Sequence, residues 1–467
     1  MKGRAAINLA AADYSVILVY GVLLTALAVS AMRGKRGDAD DYLLAGRGLG
    51  ITAFVATLVA TWYGGILGMG EFSYRYGIAT ILTQSLFFYI FAIIFAFWIA
   101  PRARAEMPYT IPDRLEQYYG KPVALAGAVL IFFMVSPAAY LLIVGTLVQM
   151  VTGWPLWLCL VIGILLSTWY ALVGGLRAVV RTDILQAAMM FAGFALLFYT
   201  AWNTLGDFSY LTENIPAKHF QPTGYLGVMQ ILVWAFIALW TFVDPGFYQR
   251  TVAARTSMVA RRGILLAVCC WVIFDFMTVS SGLYARAALP DIAPLQAYPL
   301  LADAILPPIG KGLFVVALLA VAMSTADSFT FLSAVTIGRD GYFRLTGRED
   351  QVNRYTRFGW VVTVISSGII AWSMQSVIGI WYTIGSIGLP GLIWPVLWSF
   401  TNYAKRPPYS ALAAIIGGSC TSLGWFVAGR MSDGVYPLGL DPIYPALLMA
   451  TILFWLPGFT LKMETHS

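Results

Sequence analysis

Histidine is nearly missing from this chain of 467 residues: only His219 and His466 occur, along with only four cysteines. Both histidines fall outside the apolar stretches, one in a loop and one in the C-terminal tail. That placement excludes an imidazole metal centre or a histidine proton relay within those stretches. Cys159, Cys269, Cys270 and Cys420 lie inside apolar stretches without a C-x-x-C spacing, so they read as small buried hydrophobes and not as a disulfide framework. Charge is scarce as well, at 11% of residues where soluble domains carry about 25%. A lipid-modifying membrane enzyme needs a clustered nucleophile, a histidine pair or a metal motif near an interface; none is present, and no catalysis is expected.

What the chain has instead is apolar length. Hydrophobic residues make up 60% and the mean hydropathy is +0.77, which places the protein in lipid as an all-α polytopic membrane protein. Thirteen stretches are long enough to span a bilayer: 14–32, 49–73, 77–100, 122–149, 155–173, 183–203, 225–249, 263–286, 312–338, 358–374, 377–403, 409–428 and 442–460. They leave no room for a separate soluble domain, so residues 1–467 form one transmembrane domain. An odd number of spans puts the two ends on opposite sides. Alternate loops near 33–48, 101–121, 174–182, 250–262, 339–357 and 405–408, with the tail, hold 22 of the 29 basic residues. The positive-inside rule assigns that set to the cytoplasm, with the N-terminus outside and the C-terminus inside. The net charge of +7 is therefore topology, not a nucleic-acid footprint. Lys2, Arg4 and the first apolar run resemble a signal peptide, but the run is long, begins with Asp13-Tyr14 and is followed by Arg33, Lys35 and Arg36. A retained first helix is expected.

Against this apolar background a few polar groups stand out. The ninth stretch carries Ser324-Thr325-Ala326-Asp327-Ser328 at its middle, and helical spacing stacks Ser324, Asp327 and Ser328 on one face. A carboxylate at that depth costs about 2.5–3.5 kcal/mol on insertion scales, so it needs a partner or a task. Hydroxyls beside a carboxylate are hard oxygen donors suited to a small cation. Two stretches are interrupted: the second by Gly64-Gly65, Gly68 and Gly70, the seventh by Asp244-Pro245-Gly246. Broken spans five apart point to two five-helix halves in inverted repeat, although close packing alone also uses glycine. Trp62-Tyr63 and Trp240 lie beside the breaks, where aromatics can wall a cavity. Asp183 is expected at the N-terminus of the sixth span, and Asp275 inside the eighth as a bundle-facing group bonded to a neighbour.

The chain resembles the sodium:solute symporter family over nearly its whole length. The resemblance is carried by Asp41-Tyr42-Leu43-Leu44-Ala45-Gly46-Arg47, the segment from Gly174 to Gln186 (GGLRAVVRTDILQ), Tyr248-Gln249-Arg250, and the segment from Ala322 to Ser328 (AMSTADS). It implies a leucine-transporter-like fold: one extra helix (14–32), a first repeat (49–203), a second repeat (225–403) and two accessory helices (409–460). It also implies a first sodium site formed by the carbonyls of Leu58, Thr61 and Val321 and the hydroxyls of Ser324 and Thr325. A second sodium site would use Asp183, Asp327 and Ser328, with Asp327 standing where the family pattern has a hydroxyl. That departure leaves two readings open, a more strongly charged sodium site or a protonatable group. Tyr63, Gln84, Trp240, Thr241 and Tyr382 match positions that line the substrate cavity. Sugar-binding relatives place a carboxylate where Gln84 stands, and proline carriers one where Ala60 stands. The map contains no Lys or Arg.

The resemblance thus implies sodium-coupled symport of a small organic solute by alternating access in the cell (plasma or inner) membrane, with Na+ as coupling ion. Proton-coupled or uncoupled carriage and a transporter-fold receptor are the alternatives. A receptor would need an attached signalling module, and only short loops and a tail are seen. The expected partners are the solute and the lipid bilayer, with no nucleic acid and no obligate protein.

Overall fold

The computed structural model describes residues 7–32, 39–403 and 406–456. Lys2, Arg4, Arg33, Lys35, Arg36, Lys405, Lys462 and His466 lie outside the described residues. The chain begins with α1 (Ala11–Met32) and α2 (Ala39–Leu44). These are followed by α3 (Ile51–Trp62), α4 (Ile66–Tyr76), α5 (Phe87–Glu106), α6 (Ile111–Tyr119), α7 (Lys121–Met134), α8 (Ala138–Thr152) and α9 (Leu156–Leu205). After α10 (Phe208–Asn214) come α11 (Val228–Ile237), α12 (Pro245–Ala253), α13 (Ser257–Ala288), α14 (Ala297–Ile305), α15 (Gly310–Val335) and α16 (Arg344–Thr346). The chain continues with α17 (Val352–Met374), α18 (Val377–Ser399), α19 (Pro408–Met431) and α20 (Ile443–Trp455). Among the described residues, ten helical stretches are long and apolar enough to cross a membrane. The bent pair α3–α4 and two shorter apolar helices, Leu156–Thr168 and Ile443–Trp455, bring the set into line with the thirteen stretches of the sequence.

The interruptions have separate physical causes. Between α3 and α4 the axis turns by 57° at Tyr63-Gly64-Gly65. Between α11 and α12 a 3-10 turn (Ala238–Phe242) tightens the helix, and Asp244 restarts it by capping Phe247 N at 2.9 Å with Pro245 in the first turn. Within α9, Gly175 has φ 63° and ψ −162°, a conformation open only to glycine, and it divides the fifth span from the sixth. The helix resumes directly after this kink. Asp183 therefore sits about two turns inside the sixth span and not at its N-terminus, because the residues from Leu176 onward are helical where a turn was expected.

Side-chain contacts sort the loops into two layers. On the layer rich in basic residues, Leu49 and Ala254 pair as a β-bridge, Arg104 donates to Ala254 O, and Arg47 Nη2 reaches Pro108 O at 2.6 Å. Arg177 pairs with Asp41; Asp113 is held by Arg339 (3.2 Å) and Arg344 (2.7 Å). These residues come from five loops that the charge tally assigns to one side. Arg250 is the exception: counted with those loops, it is fully buried inside the bundle. At the opposite end Tyr74 bonds Leu289 O, Lys311 pairs with Asp303, and Asp13 accepts Ile309 N (2.7 Å) and Gly312 N (2.8 Å). Asp13 thereby fastens α1 to the start of α15. The cysteines depart from the sequence reading: all four are free, but Cys269 and Cys420 are exposed and only Cys159 is buried, because helices at the perimeter turn one face to lipid.

A Cβ at residue 175 would lie 2.4 Å from Tyr42 O. Gly175→Ala is expected to combine that clash with about 1–3 kcal/mol of backbone strain and to lower the thermal unfolding temperature. Gly21→Ala, with nothing within 4 Å of the new methyl, should leave it unchanged.

Candidate functional site

The polar face of α15 meets α3, α9 and α12 in the middle of the bundle, where Ser324, Thr325, Asp327 and Ser328 are all buried. Asp183 of α9 accepts Ser324 Oγ at 2.5 Å and the Thr57 hydroxyl of α3. Asp327 turns to the other half of α9, where the Tyr170 hydroxyl donates to it. Thr325 Oγ1 donates to Thr61 O at 2.7 Å. That last contact exists because residue 64 has no side chain: a Cβ there would stand 2.2 Å from Thr325 Oγ1. At Gly65 a Cβ would meet the Trp381 ring at 1.6 Å, so the second glycine of the break admits an aromatic from α18.

Arg250 of α12 joins these groups. Its guanidinium donates to Thr61 Oγ1 (2.7 Å), Ser328 Oγ (2.8 Å), Thr57 Oγ1 (3.2 Å) and Gly246 O (3.4 Å), and lies 3.7 Å from Asp183 Oδ2. A buried guanidinium with fewer partners would be strongly destabilising. The sequence map contained no basic residue; the structure puts one at its centre. The Tyr248-Gln249-Arg250 motif was visible, but its depth was not, because it follows a helix break and reads as the start of a basic loop.

Of the residues expected at a first sodium site, Thr61 and Thr325 touch directly, while Ser324 gives its hydroxyl to Asp183. Leu58 lines the cavity beside them and Val321 is fully buried on α15. Of the second set, Asp183 and Ser328 share Arg250, and Asp327 Oδ1 lies 3.4 Å from Ser328 Oγ.

Above this constellation lies a cavity of about 130 Å³, room for a small organic solute. Tyr63, Gln84 and Trp240 line it, together with Trp62, Phe88, Tyr140, Phe329 and Trp381; Asp244, Gly246 and Arg250 are also part of the lining. Trp240 Nε1 donates to Asp244 Oδ2 at 3.1 Å, and Gln84 Nε2 has no partner among the described residues. Thr241 and Tyr382 are placed elsewhere. Thr241 returns its hydroxyl to Ala238 O within the 3-10 turn, which rotates it away from the cavity. Tyr382 bonds Asp441 and faces a second cavity of about 430 Å³ toward the outer layer, with Glu71, Arg75 and Gln230. Trp234 lines both cavities. Toward the basic layer the crevice among Tyr109, Gln249, Leu332 and Asp340 holds only about 20 Å³.

Comparison with known proteins accords with this geometry. The sodium:solute symporter family matches residues 42–407. The chain is 27% identical to the sodium/pantothenate symporter of Escherichia coli (strain K12), over 94% of each chain. It is 26% identical to the high-affinity choline transporter 1 of Drosophila melanogaster, over 92% of this chain and 72% of that one. A solved structure of a Na+-coupled sialic acid symporter superimposes with a TM-score of 0.79 at 18% identity, covering 96% of this chain and 97% of the other. The fold is thus the leucine-transporter-like one. The chain belongs to the sodium:solute symporter family, and it is a multi-pass membrane protein that carries a small solute with Na+ as coupling ion.

Gly64→Ala is expected to push Thr325 off Thr61 and to reduce sodium-dependent thermal stabilisation while the protein remains folded. Melting curves in sodium and in choline at equal ionic strength measure this. A variant with wild-type sodium stabilisation would show that the Thr325–Thr61 contact is dispensable.

Proposed function

We propose that this symporter binds sodium at two places joined by Ser324 and Arg250. The first comprises Leu58, Thr61, Val321, Ser324 and Thr325, and the second Asp183, Asp327 and Ser328. The observation that carries this reading is that the Thr325 hydroxyl of α15 meets the broken-helix backbone at Thr61, in the floor of the solute cavity. Ion and solute then share one wall, so filling one site stabilises the geometry of the other. Charge balance supports two ions: Asp183, Asp244 and Asp327 all lie within electrostatic reach of the single Arg250 guanidinium, leaving two negative charges when all three are ionised. The regions 49–203 and 225–403 act as the two repeats, rocking about this site to expose it alternately to each side.

The solute read from the cavity is a compact organic acid of pantothenate's chemistry. Arg250 supplies positive charge at the floor, Gln84 Nε2 offers a free donor, and the aromatic walls take an apolar body. A second reading is favoured by Asp244 and the same walls: a quaternary ammonium such as choline, held by a carboxylate and cation–π contact. No obligate protein partner enters either reading.

A ligand that binds only the folded state raises stability by about 2.7 kcal/mol at a hundredfold excess over Kd. Sodium, compared with N-methylglucamine, should raise the melting temperature of the wild type. Thr325→Ala and Asp327→Asn should each lose most of that rise while staying folded. Full retention in both would refute the assigned sites. With sodium present, pantothenate, choline, sialic acid and glucose are then added singly. A further rise with pantothenate alone supports the organic-acid reading, and a rise with choline alone replaces it by the cationic one.

A further inference from the structure

Beside α1 the bundle is split. α1 packs inward through Tyr20, Leu24, Ala28 and Ala31, a buried stripe at helical spacing. It is fastened at both ends: Asp13 holds the start of α15, and Ser30 Oγ accepts Arg181 Nη1 of α9 at 3.1 Å. Between these ends a groove of about 1000 Å³ opens next to the stripe. Gly21 and Thr25 of α1 form one wall, Val148 of α8 and Leu166 of α9 the other, and Leu319 and Met323 of α15 the floor. A Cβ added at Gly21 would have nothing within 4 Å, so protein does not fill this space.

The chemistry of the groove selects hydrocarbon. Ser30 and Thr152 border it but donate their hydroxyls to Leu27 O and Val148 O of their own helices, at 2.7 and 2.8 Å. Leu18, Val22 and Leu166 are exposed along it, on the perimeter that a bilayer surrounds. Water does not fill an apolar space of this kind, and acyl chains lie beside it. From Ile17 to Ser30 the groove follows α1 for about 20 Å, against about 15 Å for the acyl depth of one leaflet. Its two ends differ in charge. Ser30 and Arg181 belong to the basic layer, where Arg181 is exposed and, among the described residues, pairs with no carboxylate; Arg177 is instead paired with Asp41. In the sequence Arg33, Lys35 and Arg36 follow Ser30. Cations at the cytoplasmic mouth of an apolar groove attract an anionic headgroup.

We propose that this groove binds one anionic phospholipid of the cytoplasmic leaflet, with its phosphate at Arg181 and an acyl chain along the floor made by α15. The site reaches the sodium constellation from behind. Met323 precedes Ser324, and Tyr170, which also borders the groove, donates its hydroxyl to Asp327. A chain packed against Tyr170 and Met323 holds those contacts, so lipid and sodium favour each other's binding. Only this coupling rests on the proposed sodium sites; the lipid site stands without them.

Native mass spectrometry and melting of the full chain in detergent test it, with phosphatidylglycerol or phosphatidylethanolamine added, in choline and in sodium. Wild type should retain one phosphatidylglycerol per chain in preference to phosphatidylethanolamine, in choline as well as in sodium. Gly21→Phe, whose ring enters the open groove, should lose the retained lipid and the rise in melting temperature that it brings. Arg181→Gln should lower the preference for phosphatidylglycerol about fivefold, and Arg181→Lys should keep it. Equal retention of the two lipids by wild type, or undiminished retention in Gly21→Phe, would overturn the proposal. Should Gly21→Phe not fold, Leu166→Trp narrows the groove from its other wall, and undiminished retention there counts equally against the site. Phosphatidylglycerol should also enlarge the melting rise that sodium causes; an unchanged rise with lipid retained refutes the coupling. No rise with sodium in any lipid would defeat the sodium reading, while retention in choline still decides the lipid site.

Discussion

The centre of this protein depends on one guanidinium. Arg250 is completely buried, yet its hydrogen bonds tie the second broken helix to Thr57 and Thr61 of the first and to Ser328 of α15. Desolvating an arginine is expensive, and the cost is offset only because planar, charge-assisted bonds run to several acceptors at once beside Asp183. Of the groups it reaches, Ser328 Oγ and the Asp183 carboxylate also belong to the proposed second sodium site. A sodium ion held there would share those two groups with the guanidinium, so the strength of its binding depends on how the guanidinium is placed.

Glycine is what lets the elements come close enough for that set to exist. At Gly64 and Gly65 a single methyl would collide with Thr325 and Trp381 respectively, and at Gly175 with the backbone of Tyr42. Each position serves a different partner: a buried hydroxyl of α15, a cavity aromatic and a segment of the basic layer. Backbone proximity of this kind replaces the hydrophobic drive that helices lack in lipid.

The two faces of the cavity are closed by unlike means. Toward the basic layer, Asp113, Asp340, Arg339 and Arg344 form a network of ion pairs beneath a crevice of about 20 Å³. Toward the other side the barrier is Trp234, with Phe72 edge-on to it at 5.1 Å, below a cavity of about 430 Å³. An aromatic pair turns aside at the cost of rotamer changes, whereas multiple buried ion pairs must separate together. The structure is accordingly sealed more firmly on the side with the basic loops.

The sequence alone determined the membrane class, the thirteen spans, the two breaks and the polar strip on α15. Each of these is local: apolar length, glycine and proline position, and a 3.6-residue period are properties of contiguous residues. That Tyr63, Gln84 and Trp240 border a cavity was implied by the family resemblance, since aromatics beside a break serve helix packing equally well. Only the tertiary structure decided the rest. Arg250 reads as a loop cation because burial depends on which helices surround a short segment after a break. Asp183 reads as a cap because a kink confined to Gly175 looks like a turn when its neighbours are unknown. Thr241 and Tyr382 depart from the cavity because side-chain direction follows the local 3-10 twist and a partner, Asp441, nearly sixty residues away. Asp275 was legible as a buried acid, but the Tyr89 hydroxyl that donates to it comes from another helix, and no one-dimensional pattern encodes that partner.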